Sequence, residues 1–452
     1  MRFSPTSPFN APSRWLSRAS FPLFDLYDHS DRLKELKRLL ESQYFPREIH
    51  EKRQAHGLLS LLHYAQHAVP YYYKNWNKYY EFRTLDCLAT LPILTKAAIR
   101  EAGDALFTLA EGANLLTSKT GGSTGTSLTL KFDHTCQQHR NAAAMRSDMW
   151  AGWRMGDWLG CLWGSPEYPI SLKQKVRNTL RDRLVFLDTM RLDAESMSEF
   201  LHLMQRKRID SLYGHAHSLF ILADFALQEG IRVPAPHAII STSMMLLASE
   251  RARIEAAFNC KVSDRYGCEE VGLIAAECEE HSGYHVTSEH LIVEILDETG
   301  RACAPGEVGR VIVTDLQNHG MPLIRYEVGD LAAWSRTPCP CGRGLPTLER
   351  IVGRQADCLK RTDGSLVAGV SLVERTLLAI SGLAQLQLVQ ESPKQLVAHA
   401  VLSASALPNE SLRQLKAALA RDMGEDIAIE VSSVDRIPQE KNGKYRFAIR
   451  RF

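Results

Sequence analysis

The sequence predicts an α/β chain in which a large N-terminal part, built on parallel strands with a small barrel-like β section, precedes a small α+β C-terminal domain. Three observations lead there. From about Met155, short apolar runs alternate with stretches of helical periodicity, a pattern that needs crossover connections and therefore parallel strands. After Tyr284 the helical stretches stop and strand texture continues alone. From residue 354 onward the mixed texture returns on a smaller scale.

Size and composition agree with this division. A chain of 452 residues exceeds one ordinary core. Hydrophobic residues at 45% and charged residues at 23% exclude a disordered or collagenous chain. Lysine and arginine number 54 against 52 acids, a net +2 that provides no field for a nucleic-acid binder. Ten irregularly spaced cysteines, in a chain large enough to fold without staples, point to a reducing, cytoplasmic compartment.

The first 24 residues contain Arg2, Arg14 and Arg18 and no acid, a faint transit-peptide texture that reads more simply as a disordered or surface-draped leader. The leader region through about residue 90 is helical. Leu33, Leu36, Leu39 and Leu40, then Leu58, Leu61 and Leu62, recur at helical intervals, with a break at Pro46. Strands are expected at Trp158–Trp163, Leu184–Leu187, Ile209–Tyr213 and His237–Ser241. Helices are expected at Asp193–Arg206, His217–Gln228 and Ser249–Asn259. The uncharged run Val233–Ser249 carries Pro234, Pro236 and His237 and is too broken to span a bilayer, so no membrane partner is expected. Leu291–Leu296 and Arg310–Thr314, joined through a turn at Asp297–Gly300, read as an antiparallel hairpin or part of a small barrel. The end domain reads as strands at Leu386–Val389, Leu396–Leu402 and Ile427–Val431 around a helix at Glu410–Arg421.

The run from Ser118 to Ser127 packs glycines and hydroxyl residues together. Glycine lets backbone N–H groups approach an anion, and hydroxyls donate to phosphate oxygens, so a phosphate cradle is one reading. No lysine follows the last glycine, which excludes the common nucleotide loop of the G-x-x-x-x-G-K type. Taken alone, the string fits a plain surface loop equally well.

Its company decides the matter. Tyr266-Gly267-Cys268-Glu269-Glu270-Val271-Gly272 follows a strand, and then come Arg325-Tyr326-Glu327-Val328-Gly329-Asp330, Gly353-Arg354-Gln355-Ala356-Asp357 and Asn442-Gly443-Lys444-Tyr445-Arg446. In this order, together with Val69-Pro70-Tyr71-Tyr72, Leu91-Pro92-Ile93-Leu94-Thr95-Lys96 and Trp153–Gly164, these segments resemble the adenylate-forming superfamily of acyl-CoA synthetases, and within it the phenylacetate-CoA ligase branch. The resemblance runs from about residue 60 to Phe452.

The resemblance implies an adenylate-forming domain over residues 1–353 and a small mobile domain over 354–452. It implies that Ser123, Thr124 and Gly125 cradle ATP phosphates and that Tyr266 and Gly267 hold adenine. Asp330 would hold the ribose, with Arg354 nearby, and Glu270 would bind Mg2+. Lys444 matches the mobile lysine. Its physical logic is separate from the family: a carboxylate attacking an α-phosphate brings two anions together, and an ammonium between them favours the transition state. A lysine on a moving domain can serve one step and leave for the next. Trp163, Tyr213, His215, Thr242, Ser243 and Met244 are expected to line the acid pocket. Cys268 has no evident base partner and reads as a packing residue.

Three positions depart from the family pattern. Thr126 stands where a lysine is usual, with Lys119 or Lys131 as substitutes; Glu269 replaces a hydroxyl residue; Ala356 replaces an aspartate at the hinge, leaving Asp357. A second constellation, Cys278, His285, Cys339 and Cys341, offers three sulfurs and one imidazole, a ligand set for structural zinc that members of this branch also show. His285 is preferred to His281 as the fourth ligand.

The implied activity is ATP-dependent activation of a carboxylic acid, aryl or arylalkyl by resemblance, and transfer to coenzyme A. An acid-amine ligase, an adenylyltransferase acting on a hydroxyl, and a degenerate nucleotide-binding scaffold are the alternatives. The partners are a small carboxylic acid and an acyl acceptor, and a homodimer is left open.

Overall fold

The computed structural model describes residues 14–76, 87–110, 115–119, 128–164, 166, 168–169, 171–206, 209–403, 406–440 and 445–452. Ser123, Thr124, Gly125, Thr126 and Lys444 lie outside the described residues.

The N-terminal region is helical, with helices Arg14–Tyr27, Arg32–Ser42 and Arg47–Ala68. Pro46 stands at the N-cap of the third, where its missing N–H breaks nothing. That helix sends Leu58, Leu61, Leu62 and Ala65 into the main core without exposure, the three-and-four spacing of a buried stripe. Leu36 and Leu39 of the second helix pack on Ala142, Ala143 and Met145 of the helix His134–Trp150.

Strands β1 (Leu115–Lys119) and β2 (Thr129–Asp133) form an antiparallel hairpin flanking the glycine-rich run. The main sheet contains β3 (Leu159–Trp163), β4 (Leu184–Asp188), β5 (Ser211–His215), β6 (Ile239–Thr242) and β7 (Val262–Cys268). It continues with β8 (Gly272–Glu277), β9 (Tyr284–Val286), β10 (Leu291–Leu296), β11 (Val308–Asp315), β12 (Tyr326–Trp334) and β13 (Thr347–Arg354). Among the described residues these form one eleven-stranded sheet ordered β10-β11-β12-β13-β9-β8-β7-β6-β5-β3-β4. β3 to β7 pair in parallel, as the alternating texture requires; from β8 onward the pairing is antiparallel. The β-only section expected after Tyr284 is thus joined edge to edge with the parallel strands.

Helices Ala194–Gln205, Ala216–Gln228 and Ala248–Phe258 supply the crossovers. Their apolar faces meet the sheet in a core of Phe200, Leu212, Leu219, Leu222, Ile239 and Ile254. Burying such side chains contributes about 1.5–3 kcal/mol each.

After the short 3-10 turn Gln355–Asp357, a second set of elements has its own core. β14 (Cys358–Lys360) and β15 (Leu366–Ala368) form a hairpin. β16 (Leu383–Ser392), β17 (Gln395–Leu402), β18 (Ala428–Ser433) and β19 (Ala448–Arg450) form a four-stranded sheet ordered β18-β17-β16-β19. Helices Gly369–Ala379 and Pro408–Met423 bury Leu372, Val373, Leu415 and Leu419 with Leu386, Leu388 and Leu396. Leu247, Met244 and Met245 from the large part join this cluster, so the two cores touch there. No helix among the described residues is long and apolar enough to cross a membrane.

Candidate active site and metal cluster

In an open α/β sheet, strand ends leave main-chain groups and loops facing a crevice, and ligands collect at the carboxyl ends. Here the register sets Leu162 against Gly214, His215 against Thr242 and Thr242 against Arg265, so the ends of β3, β5, β6 and β7 lie side by side. Of the six expected pocket residues, Trp163 stacks on Tyr213 with ring centres 5.8 Å apart and lies 4.4 Å from the His215 ring. Thr242 ends β6, and Ser243 takes the left-handed conformation (φ 67°) as the chain turns out of the sheet. Met244 packs toward the small-domain core. Behind Tyr213 lies the Arg265 guanidinium, 5.6 Å from its ring centre and bonded to Asp148 at 2.8 Å.

β7 and β8 are joined by a tight turn that presents Glu269 and Glu270. A Cβ on Gly267 would fall 2.4 Å from the Gly272 carbonyl oxygen, so only glycine allows this approach. Tyr266 donates its hydroxyl to Asp330 of β12 at 2.9 Å, and Asp330 sits opposite Arg354 of β13. Burial raises the Asp330 carboxyl, while Tyr266, Arg354 and Lys96 act in the other direction. Burial and the nearby Glu270 push the Cys268 thiol well up, which suits a packing residue and not a nucleophile.

Glu270 is buried, receives the Tyr326 hydroxyl at 2.8 Å and lies 3.8 Å from the Lys96 ammonium. Arg140 holds the same turn from beneath, donating to the Glu270 carbonyl at 2.7 Å and to Asp315 at 2.8 Å. Glu269 accepts the Ser118 hydroxyl at 2.7 Å, which ties the acidic turn to the end of β1 where the glycine-rich run begins.

Lys96 is the residue that the sequence reading missed. Leu94 exchanges backbone bonds with Arg325 (2.9 Å) and Glu327 (3.0 Å), which lays the Leu-Pro-Ile-Leu segment along β12. Thr95 then caps a short helix, and Lys96, its first residue, faces the acidic turn. The signal was the Thr-Lys pair closing a quoted motif. Of the two lysines expected to substitute at position 126, Lys131 instead lies over the Phe107 ring at 4.1 Å.

The second constellation is compact. Sγ of Cys278, Cys339 and Cys341 and a His285 nitrogen all lie within 4.8 Å of one another. Cys278 and Cys339 sulfurs are 3.6 Å apart, far beyond a disulfide bond and close to the roughly 3.8 Å separating two thiolates on one tetrahedral ion. Cys341 Sγ lies 3.3 Å from His285 Nε2. Burial holds His285 down to about 4, so the imidazole is neutral at neutral pH, the form that ligates metal. His281 turns instead to Glu277 at 3.3 Å.

Residues 359–451 match the model of the CapK C-terminal domain. The chain is 26% identical to protein CapK of Staphylococcus aureus over 366 residues, covering 79% of each chain. It is 33% identical to the phenylacetate-coenzyme A ligase of Thermus thermophilus over 138 residues, 29% of this chain and 30% of that one. Among solved structures it superposes on 2-hydroxyisobutyryl-CoA ligase in the postadenylation state with a TM-score of 0.74 at 19% identity, covering 91% of both chains. For the thioesterification state of the same ligase, bound to 2-HIB-AMP and CoA, the score is 0.60 at 19% identity, over 90% of this chain and 91% of that one. The chain therefore has the fold seen in adenylate-forming acyl-CoA ligases, is similar to phenylacetate-coenzyme A ligase over part of its length, and matches the CapK C-terminal domain over residues 359–451.

Proposed function

We propose that this protein activates a carboxylic acid with ATP and transfers the acyl group to coenzyme A. The observation that carries the proposal is the convergence at one crevice of the Tyr266–Asp330 pair, the buried Glu270 carboxylate with Lys96 beside it, and the Ser118–Glu269 link to the glycine-rich run. In this reading Tyr266 and Gly267 border adenine, Asp330 and Arg354 take the ribose, and Ser123, Thr124 and Gly125 take the phosphates. Lys96 supplies the phosphate-facing cation that Thr126 does not.

In the first step a carboxylate oxygen attacks the α-phosphorus, the bond to pyrophosphate breaks, and an acyl-adenylate remains. Lys444 stands between the two anions as they meet. In the second step the thiolate of coenzyme A attacks the acyl carbon and AMP leaves. Glu270 is the residue that would hold Mg2+, which offsets phosphate charge as pyrophosphate departs. The paired rings of Trp163 and Tyr213 support an aryl or arylalkyl acid.

The small domain in this reading begins at Arg354. Cys278, His285, Cys339 and Cys341 would hold a structural Zn2+; four protein ligands fill a tetrahedral ion and leave no open position for substrate. Ten free cysteines suit a reducing, cytoplasmic setting.

The test is pyrophosphate release from Mg-ATP across aromatic, arylalkyl and fatty acids, each with and without coenzyme A. One or more aryl acids should give acid-dependent release and a coenzyme A-dependent thioester. An amine-dependent product in place of the thioester would make the protein an amide ligase. ATP binding without release for any acid would reject the activity.

A further inference from the structure

His217 lies in the first turn of the helix Ala216–Gln228, and Glu250 in the first turn of Ala248–Phe258. Nδ1 of His217 is 2.5 Å from Glu250 Oε1, and the two side chains are only 2% and 5% exposed. The other Glu250 oxygen accepts the Leu247 backbone N–H. The imidazole is enclosed by two rings of the small domain, Tyr445 at 4.2 Å and Phe447 at 5.2 Å, both edge-on. Its Nε2 is buried with no hydrogen-bond partner among the described residues.

Residues 445 to 447 are held from two directions. Tyr445 and Phe447 face the imidazole, while Arg446 between them reaches back to Asp357 at the hinge and gives its carbonyl to Gln387. This is the alternation of an extended chain pinned on both faces. Two further contacts join the same surfaces: Glu374 accepts the Ala248 N–H, and Gln439 donates to the Thr189 carbonyl at 3.0 Å.

We infer that the buried His217–Glu250 pair is a docking seat for the Tyr445–Phe447 segment of the small domain, the segment that follows Lys444 in the sequence, and that it holds this segment in place for the first half-reaction. The inference rests on the acid-activating reading above. His217 and Glu250 are positioning residues, since His217 touches Tyr445 and Phe447 and Glu250 holds His217. A polar seat suits a domain that must dock and leave. Desolvating a hydrogen-bonded polar pair opposes its mutual attraction, so the contact selects one register without binding so tightly that the domain stays. When the small domain departs, water can reach Nε2 and solvate the pair.

The experiment compares wild-type protein with Glu250→Gln, His217→Gln, Tyr445→Ala and Tyr445→Phe. Adenylation, read as pyrophosphate release, should slow by about 10- to 100-fold in the first three, the size of a misplaced catalytic group. The KM for ATP and the reaction of supplied acyl-adenylate with coenzyme A should stay near wild type. Tyr445→Phe keeps the ring and should restore the rate. Hydrogen exchange should quicken at residues 445–450 in the three slow variants while the helix Ala216–Gln228 keeps its protection. Equal loss of both half-reactions with loosening of that helix, or unchanged exchange at 445–450, overturns the seat. If wild-type protein activates no acid, the acid-activating reading falls, and the exchange comparison alone decides whether the pair docks the Tyr445–Phe447 segment.

Discussion

Lys96 illustrates how a single side chain gains a role from its surroundings. The ammonium is 45% exposed and lies 3.8 Å from a carboxylate that is 7% exposed, so one end of the pair remains open to an anion. Lys96→Ala should raise the KM for ATP and slow pyrophosphate release by about 10-fold or more, as expected for loss of one charge-assisted contact to phosphate. An unchanged KM and rate would remove it from the site. A second pair, Arg146 and Glu289, is buried on both sides at 1% and 0% exposure and carries no proposed chemistry. Burial alone would raise the Glu289 carboxyl, but Arg146 brings it down to about 2 from 4.5. A depressed folded pKa stabilises the protein above the unfolded value, so this contribution is present above about pH 4.5 and fades as pH falls toward 2. Glu289→Gln, which strands the guanidinium, should cost about 3–5 kcal/mol at pH 7 and flatten the decline of stability in acid. Denaturant melts at pH 7 and pH 3 measure both, and equal losses at the two pH values would contradict the linkage.

At the scale of elements, the alternation of Leu184–Leu187, Asp193–Arg206, Ile209–Tyr213 and His217–Gln228 was legible because each run has a clear period and the crossovers follow from it. Pro46 likewise marked a helix boundary. What the sequence hid were contacts set by long-range pairing. Nothing near Lys96 announces Glu270, because the two meet only once Leu94 lies along β12. Glu269, an oddity in the motif, has a partner in Ser118 that belongs to a hairpin 151 positions away. The Cys278, His285, Cys339 and Cys341 set was legible from residue type, and its closeness comes from β9 pairing with both β8 and β13. Cys339→Ser with Cys341→Ser should lower bound zinc, measured by elemental analysis, and reduce the melting temperature. Wild-type protein that purifies without metal and melts at the same temperature as the double variant would contradict a structural zinc.

At the scale of the whole molecule, two cores meet at Met244, Met245 and Leu247, and Tyr445, which follows Lys444 in the sequence, packs on His217 of the large part. Lys444→Ala should abolish adenylate formation and leave the thioester step from supplied acyl-adenylate much less affected, whereas equal loss of both would reject a role confined to one step. The claim on which the rest depends is that an acid oxygen attacks the α-phosphorus. It is tested most directly by supplying an acid labelled with 18O in both carboxyl oxygens, together with Mg-ATP and coenzyme A, and weighing the AMP released. Thiolysis breaks the acyl carbon–oxygen bond, so the AMP released should carry one 18O from the acid. Unlabelled AMP, or AMP left attached to an acceptor hydroxyl, would contradict it.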